Sequence, residues 1–384
     1  MIYLDNHATT ACDPAVLAAM MPFFTDSYAN PSSSHWFGQD AAAAVERAQE
    51  QVASLIGGEA AEVVFTSGAT ESNNLAILGT ALQHKHVGGN RRQIATTIIE
   101  HKSVIGPCEH LAHMGWEIVY LPVDETGSVI LESAVELITE KTLLVSVQAA
   151  NSEIGTIQPV RQLANYAHSK GALMHCDASQ AIGKIPINVN ELGVDLLSIS
   201  AHKMYGPKGI GALWLHGGVQ TLPLYPLMAG GRNSSGLRPG TLPVPLIVGF
   251  GVACQQACDQ LDKEERHLAK LRDSFEKILI ATLPGLIING ALDNRLPNNS
   301  SITFSGLDAE ALLANLDEVV ASTGSACEAG SIEPSRVLTA LGLTREAAFS
   351  TLRFGLGRFT TDKDVMQATS QIIKVHQYLS LLLA

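Results

Sequence analysis

This sequence predicts an α/β fold, with a large domain built on one mainly parallel sheet of seven strands and a smaller α+β domain beside it. Three observations carry the prediction. Short β-branched runs alternate with stretches of helical periodicity through the first two-thirds of the chain, the pattern of strands joined by crossover helices. A Gly-, Pro- and Ser-rich segment from Gly217 to Pro245 then interrupts the alternation. Beyond it, apolar residues recur at helical spacing from Leu246 to about Leu279, as in one long helix leading into a second lobe.

Taken in order, Asp40 to Ile56 reads as helix, Glu62 to Thr66 as strand, Glu71 to Leu82 as helix and Gln93 to Ile99 as strand. Trp116 to Leu121, Thr142 to Gln148, Ala172 to Cys176, Leu196 to Ser200 and Gly211 to Leu215 complete the strands of one wide sheet. Prolines 223, 226, 239, 243 and 245 keep the following segment irregular, and a loop of that length is a functional segment or a linker. With 384 residues the chain exceeds what one small core can organise. The expected division is a large domain over residues 15–261 and a small domain from residues 1–14 and 262–384.

Composition narrows the function classes. A formal net charge of -12, with no run rich in Lys and Arg, disfavours direct binding of nucleic acid. The amino terminus has no basic flank followed by an apolar core, and no stretch reaches the roughly 18 apolar residues of a membrane span. A cytoplasmic protein without a membrane segment is expected. The cysteines at 12, 108, 176, 254, 258 and 327 are too sparse for a disulfide framework. Cys254 and Cys258 stand four apart on a helical stretch, but no second pair follows, so packing rather than metal ligation is expected there.

Three constellations suggest chemistry. In VVFTSGATESNNLAIL, a strand, a Gly-containing turn and a helix follow one another, and the free amides around Ala69 and Thr70 suit a phosphate, although an ordinary capped helix reads the same way. In ALMHCDASQA, Asp177 follows a buried strand, where a carboxylate is costly unless it caps a helix or meets a cation. In LLSISAHKMYGPKGIG, Lys203 ends another apolar strand, in a setting that suits an imine-forming lysine, with Lys208 as a decoy in the same turn. Strand ends of this kind form the ligand crevice of parallel sheets. Together they are the parts of a pyridoxal-phosphate site.

The wording of TSGATES, EHKSV, HCDASQ, SAHKMYGPKG, RPGTLP and TGSAC resembles the NifS/IscS-type, group I cysteine desulfurases of the class V aminotransferase group, from YLDNHATT to RFGLGRFTT. That resemblance implies the fold-type I architecture of pyridoxal-phosphate enzymes and a homodimer. It implies that Lys203 holds the cofactor as an imine, that Asp177 pairs with the pyridine nitrogen, that Gln180 bonds the ring hydroxyl and that His101 stacks on the ring and shuttles protons. By the same resemblance Ala69, Thr70, Ser200 and His202 would hold the phosphate, with Thr241 reaching in from a second subunit. Arg353 anchors the substrate carboxylate, a task that suits its planar fork, with a structural ion pair as its other reading. Where the family commonly reads Asn-Asn-Glu, this chain has Asn151-Ser152-Glu153, so a shorter hydroxyl stands at the substrate-holding position of Ser152.

Cys327 lies in VVASTGSACEAGSIEPS, whose small residues predict a mobile loop able to collect sulfur and show it to an acceptor. Glu328 beside it disfavours the thiolate, so activation is expected on arrival at the site. The implied reaction converts L-cysteine to L-alanine, with the freed Lys203 amine taking the α-proton and sulfur passing to a Cys327 persulfide. An acceptor protein for iron-sulfur cluster assembly or thio-modification would follow. The alternatives are a selenocysteine lyase or another class V enzyme, and a non-catalytic scaffold; a nicotinamide enzyme lacks its G-x-G-x-x-G after the first strand. The chain stops soon after its last helix in QYLSLLLA, where some housekeeping members carry a docking tail.

Overall fold

The computed structural model describes residues 1–231, 236–324 and 333–383. Cys327 therefore lies outside the described residues. Twelve strands are formed among those described: β1 (Ile2–Tyr3), β2 (Val63–Thr66), β3 (Gln93–Thr97), β4 (Glu117–Leu121), β5 (Thr142–Gln148), β6 (Leu173–Asp177), β7 (Leu196–Ser200), β8 (Gly211–Leu215), β9 (Leu286–Ile288), β10 (Asn299–Phe304), β11 (Val319–Val320) and β12 (Thr351–Gly355).

Seven of them make the expected sheet, in the order β2-β8-β7-β6-β5-β3-β4. It is parallel except at β8, which runs antiparallel to both β2 and β7. Helices cover both faces, so β2, β3, β5, β7 and β8 are buried along their whole length and read as continuous apolar runs rather than alternations. At the margin, β4 keeps Glu117 and Tyr120 exposed.

The helix after the Gly/Pro-rich segment spans Val244–Thr282, 39 residues, packing first on the Trp36–Ile56 helix and then on the carboxyl-terminal helix Asp362–Leu383. It begins inside the stretch expected to be irregular, because Pro245 falls in the first turn, where a missing N–H costs nothing. A second departure is the one-turn helix Gly218–Thr221 in the same segment. No described helix is long and apolar enough to cross a membrane.

A second core gathers Ile2 and Leu4 with Leu268, Phe275, Phe304, Phe354 and Ile372 beneath the antiparallel sheet β12-β10-β9. The first thirteen residues cross from this lobe to the other. Gly355 N donates to Leu4 O at 2.6 Å, Thr10 N to His202 O at 3.0 Å, and Asp13 N to Tyr205 O at 2.9 Å. This strap lays residues 7–9 directly against the Lys203 turn.

Candidate active site

The carboxyl ends of the sheet strands open into a cavity of about 480 Å³, lined by the strap, the turn after β2, and the ends of β5, β6 and β7. Nine of the expected residues meet there: Ala69, Thr70, His101, Ser152, Asp177, Gln180, Ser200, His202 and Lys203. Residues from positions 69 to 203 converge because each parallel strand returns its carboxyl end to the same side of the sheet.

Asp177 is the last residue of β6 and is 7% exposed. Its Oδ2 accepts from Asn73 Nδ2 at 2.7 Å, and its Oδ1 accepts from Ser179 N at 2.9 Å and Ser179 Oγ at 2.5 Å. All three donors are neutral, and among the described residues no salt bridge compensates the carboxylate. A buried charge held this way suits a cationic ligand atom. The helix-cap reading of Asp177 is not realised, since its bonds to Ser179 close a turn and the next helix along the chain is capped by Asn188.

Asn73 also donates to Ser103 Oγ at 2.8 Å, and Ser103 Oγ lies 2.8 Å from His101 Nδ1. The Ser103 backbone N–H donates to that same Nδ1 at 3.1 Å, so the neutral ring carries its proton on Nε2. Burial holds the His101 pKa below its ordinary value, the charges of Lys203, Lys102 and Arg336 adding to burial against the opposing pull of Asp177. The preceding Glu100 is enclosed, accepting from Thr97 Oγ1 and from Gln148 N; burial pushes its pKa up to about 8, with Asp177 adding to the rise.

Lys203 follows β7 in a single 3-10 turn. Its amine donates to the His7 carbonyl and, at 2.9 Å, to the Ala8 carbonyl. The strap thus holds the nitrogen at the cavity wall. Lys208 also lines the cavity.

At the end formed by the Ala69–His86 helix, Gly68 takes φ +150°, a conformation open to glycine, and lets the chain turn from β2 into the helix. Gly211 at the start of β8 packs on it so closely that a Cβ would come 2.8 Å from Gly68 Cα. Ser200, His202 and Lys208 line the same cavity as this helix start. Burial, then Lys203 and Lys208, push His202 down to about 4, leaving it a neutral hydrogen-bonding group. Glu71, in the first turn, is tied off by Ser67 N at 2.6 Å and by Arg238 at 3.0 Å, so the helix start keeps its positive character.

Two expected residues do not line the cavity. Thr241 is exposed on its own chain. Arg353, 3% exposed on β12, pairs with Asp5 at 2.8 Å and donates to the Ser152 carbonyl at 3.1 Å, which realises its ion-pair reading. Its Nε has no partner among the described residues. Sequence reasoning overlooked Asn73, Ser103, Ser179 and His7. Only Asn73 had a usable signal, standing three and four residues after Thr70 and Ala69 on one helix face.

The Aminotransferase class-V family model matches residues 2–367. Cysteine desulfurase IscS of Rickettsia typhi (strain ATCC VR-144 / Wilmington) is 44% identical over 372 residues, 97% of this chain and 90% of that protein. The protein of the same name from Rickettsia prowazekii (strain Madrid E) is 43% identical over the same shares. Among solved structures, a NifS-like protein superposes with a TM-score of 0.90 at 36% identity, covering 99% of each chain. The structure titled SspA in complex with cysteine gives 0.82 at 35% identity, covering 94% of this chain and 100% of the other. Fold, cavity and relatives agree along nearly the whole length: the chain belongs to the class V aminotransferase family and, within it, to the NifS/IscS-type cysteine desulfurases, which are pyridoxal-phosphate enzymes.

Proposed function

We propose that the Lys203 cavity holds pyridoxal phosphate and that the sulfur of L-cysteine passes through Cys327 to an acceptor protein. The observation that carries this reading is that Lys203, the uncompensated carboxylate of Asp177 and the start of the Ala69–His86 helix line one cavity. The donor set fits the cofactor. Asp177 would offer its charge to a protonated ring nitrogen, Gln180 would bond the ring hydroxyl oxygen and His101 would stack on the ring face. Ala69, Thr70, Ser200 and His202 take the phosphate, joined by Thr241 of a second copy. When bound, pyridoxal phosphate supplies an aldehyde carbon for amine capture and an electron sink for charge at the substrate α-carbon.

The chain's own residues do the rest. Lys203 would hold the cofactor and, once the substrate amine displaces it, would take the α-proton at Nζ. His101 passes a proton at Nε2. Ser152 would meet the carboxylate end of the substrate, and Arg353, which donates to the Ser152 carbonyl, would anchor that carboxylate in exchange for its pair with Asp5. Cys327 Sγ, as thiolate, attacks the substrate sulfur: the S–S bond forms, the Cβ–S bond breaks, and its electron pair stays on the carbon skeleton, which is protonated to alanine. Cys327 keeps a persulfide for transfer to the acceptor. The exposed Leu17, Met21, Phe24, Tyr28 and Trp36 support a homodimer, since a second copy would cover them. The remaining parts of the proposal are a cytoplasmic location and a division into domains at 15–261 and at 1–14 with 262–384.

The test is to incubate the cofactor-loaded protein with L-cysteine, quench in acid and map the peptides by mass spectrometry. One added sulfur atom on the Cys327 peptide, with alanine formed in proportion, is expected. Sulfur on another cysteine peptide would overturn the assignment. Asp177→Asn, which keeps the shape and removes the charge, should lower kcat about 100-fold with the visible cofactor band retained, the loss of one partner from a buried charge pair; steady-state alanine production checks it.

A further inference from the structure

A buried chain of hydrogen bonds runs from the small lobe to the cavity, and its donors and acceptors can be assigned in sequence. The backbone carbonyl of Glu153 only accepts, and one end of the Asn299 amide lies 3.2 Å from it, so that end is the NH2 group. The same nitrogen is 3.1 Å from His7 Nε2, which must therefore accept. The His7 ring is enclosed; burial first, and then the charge of Arg353, bring its pKa down to about 3. It is neutral at physiological pH, with its one proton on Nδ1. Gln180 Oε1 lies 3.0 Å from that Nδ1 and accepts the proton's hydrogen bond.

The other end of Gln180 is then its Nε2. One of its two hydrogens goes to the His7 carbonyl at 3.0 Å. The second N–H is left for the cavity, which Gln180 lines and His7 does not. The small lobe presses on this arrangement from two strands: Asn299 opens β10, and a Cβ on Gly355 at the end of β12 would come within 2.7 Å of the His7 ring.

We infer that His7 is a positioning residue that fixes the polarity of the Gln180 amide, so that Gln180 presents an N–H, and never its carbonyl, to the ring oxygen of the cofactor. The inference rests on the reading of the cavity as a pyridoxal-phosphate site. Without the His7 ring, one of the two bonds that set the direction of the Gln180 amide is gone and only the His7 carbonyl still opposes its turning over; in the turned-over amide an oxygen faces the ring oxygen. A donated hydrogen bond draws charge from the ring oxygen, which in turn holds the neighbouring protonated nitrogen less tightly. The pKa read from the visible band of the bound cofactor is lower for it.

The experiment is a pH titration of that band in the holoenzyme. His7→Ala should raise its pKa by about one unit, the scale of one hydrogen bond to a charged group. His7→Asn, whose amide N–H stands near the Nδ1 position, should return it close to the wild-type value. In a Gln180→Ala background, His7→Ala should leave the pKa unmoved, which a merely structural role would not produce. An unchanged pKa in His7→Ala, or the same shift with Gln180 already removed, overturns the proposal. Nitrogen NMR of the wild-type ring decides the point without any variant: a neutral Nδ1–H form is expected, and an Nε2–H or charged ring overturns it. If added pyridoxal phosphate gives the wild-type protein no visible band, the cofactor reading fails instead, and the NMR result still tests the polarity of Gln180.

Discussion

Replacing Lys203 by Ala is expected to abolish the visible cofactor band and to lower alanine production from L-cysteine by about 10⁴-fold, the upper range for loss of a positioned proton-transfer group. Two duties are lost with one nitrogen. The strap carbonyls of His7 and Ala8 hold Nζ at the wall of the cavity that also contains Asp177, so no other group replaces both its attachment and its basicity there. Lys208 is the competitor to exclude, because it lines the same cavity. Lys208→Ala should keep the band, and the reverse result would transfer the imine to Lys208. The fold should survive both changes, since Lys203 lies in a one-turn helix outside the sheet.

The second large effect belongs to Cys327→Ser. Alanine release should fall on the order of 10³-fold and the persulfide should vanish, as when a covalent nucleophile is removed, while the visible band remains and still responds to added cysteine. A hydroxyl at this position has no comparable affinity for sulfur. The described cysteines supply no substitute, for none of Cys12, Cys108, Cys176, Cys254 and Cys258 lines the cavity. Burial also pushes the thiol of Cys108 up to about 12 and raises those of Cys176 and Cys254 well above their ordinary value, so none of the three is a thiolate at neutral pH. Alanine and sulfide are to be measured separately. Alanine release at the wild-type rate would sink the covalent step, and equal handling of selenocysteine would point to a lyase.

The strands of the central sheet were legible because burial on both faces writes itself locally, as in the uninterrupted LLSIS of β7 and TLLVSVQ of β5. Their ends were legible to within two residues at most: Asp177, expected just past its strand, closes β6, and the run ending at Ile99 stops at Thr97. The Gly/Pro-rich segment misled at its borders, hiding the Gly218–Thr221 turn and the first residues of the long helix, since proline is excluded from helix interiors but not from first turns. Arg353 shows a different limit. Its fork was legible as an acid-binding group, but which acid it meets depends on Asp5, 348 residues away.

By itself, then, the sequence determined the fold class, the turn and helix that Ala69 and Thr70 open, the strand ends that carry Asp177 and Lys203, and the family resemblance. These depend on runs of neighbouring residues, where composition and periodicity record burial directly. Tertiary structure alone decided what holds those residues in place: Asn73 on Asp177 across 104 positions, His7 on Gln180 across 173, and Asn299 on His7 across 292. A hydrogen bond between distant segments leaves no periodic trace, because its geometry comes into being only when the strap, the sheet and the small lobe pack together.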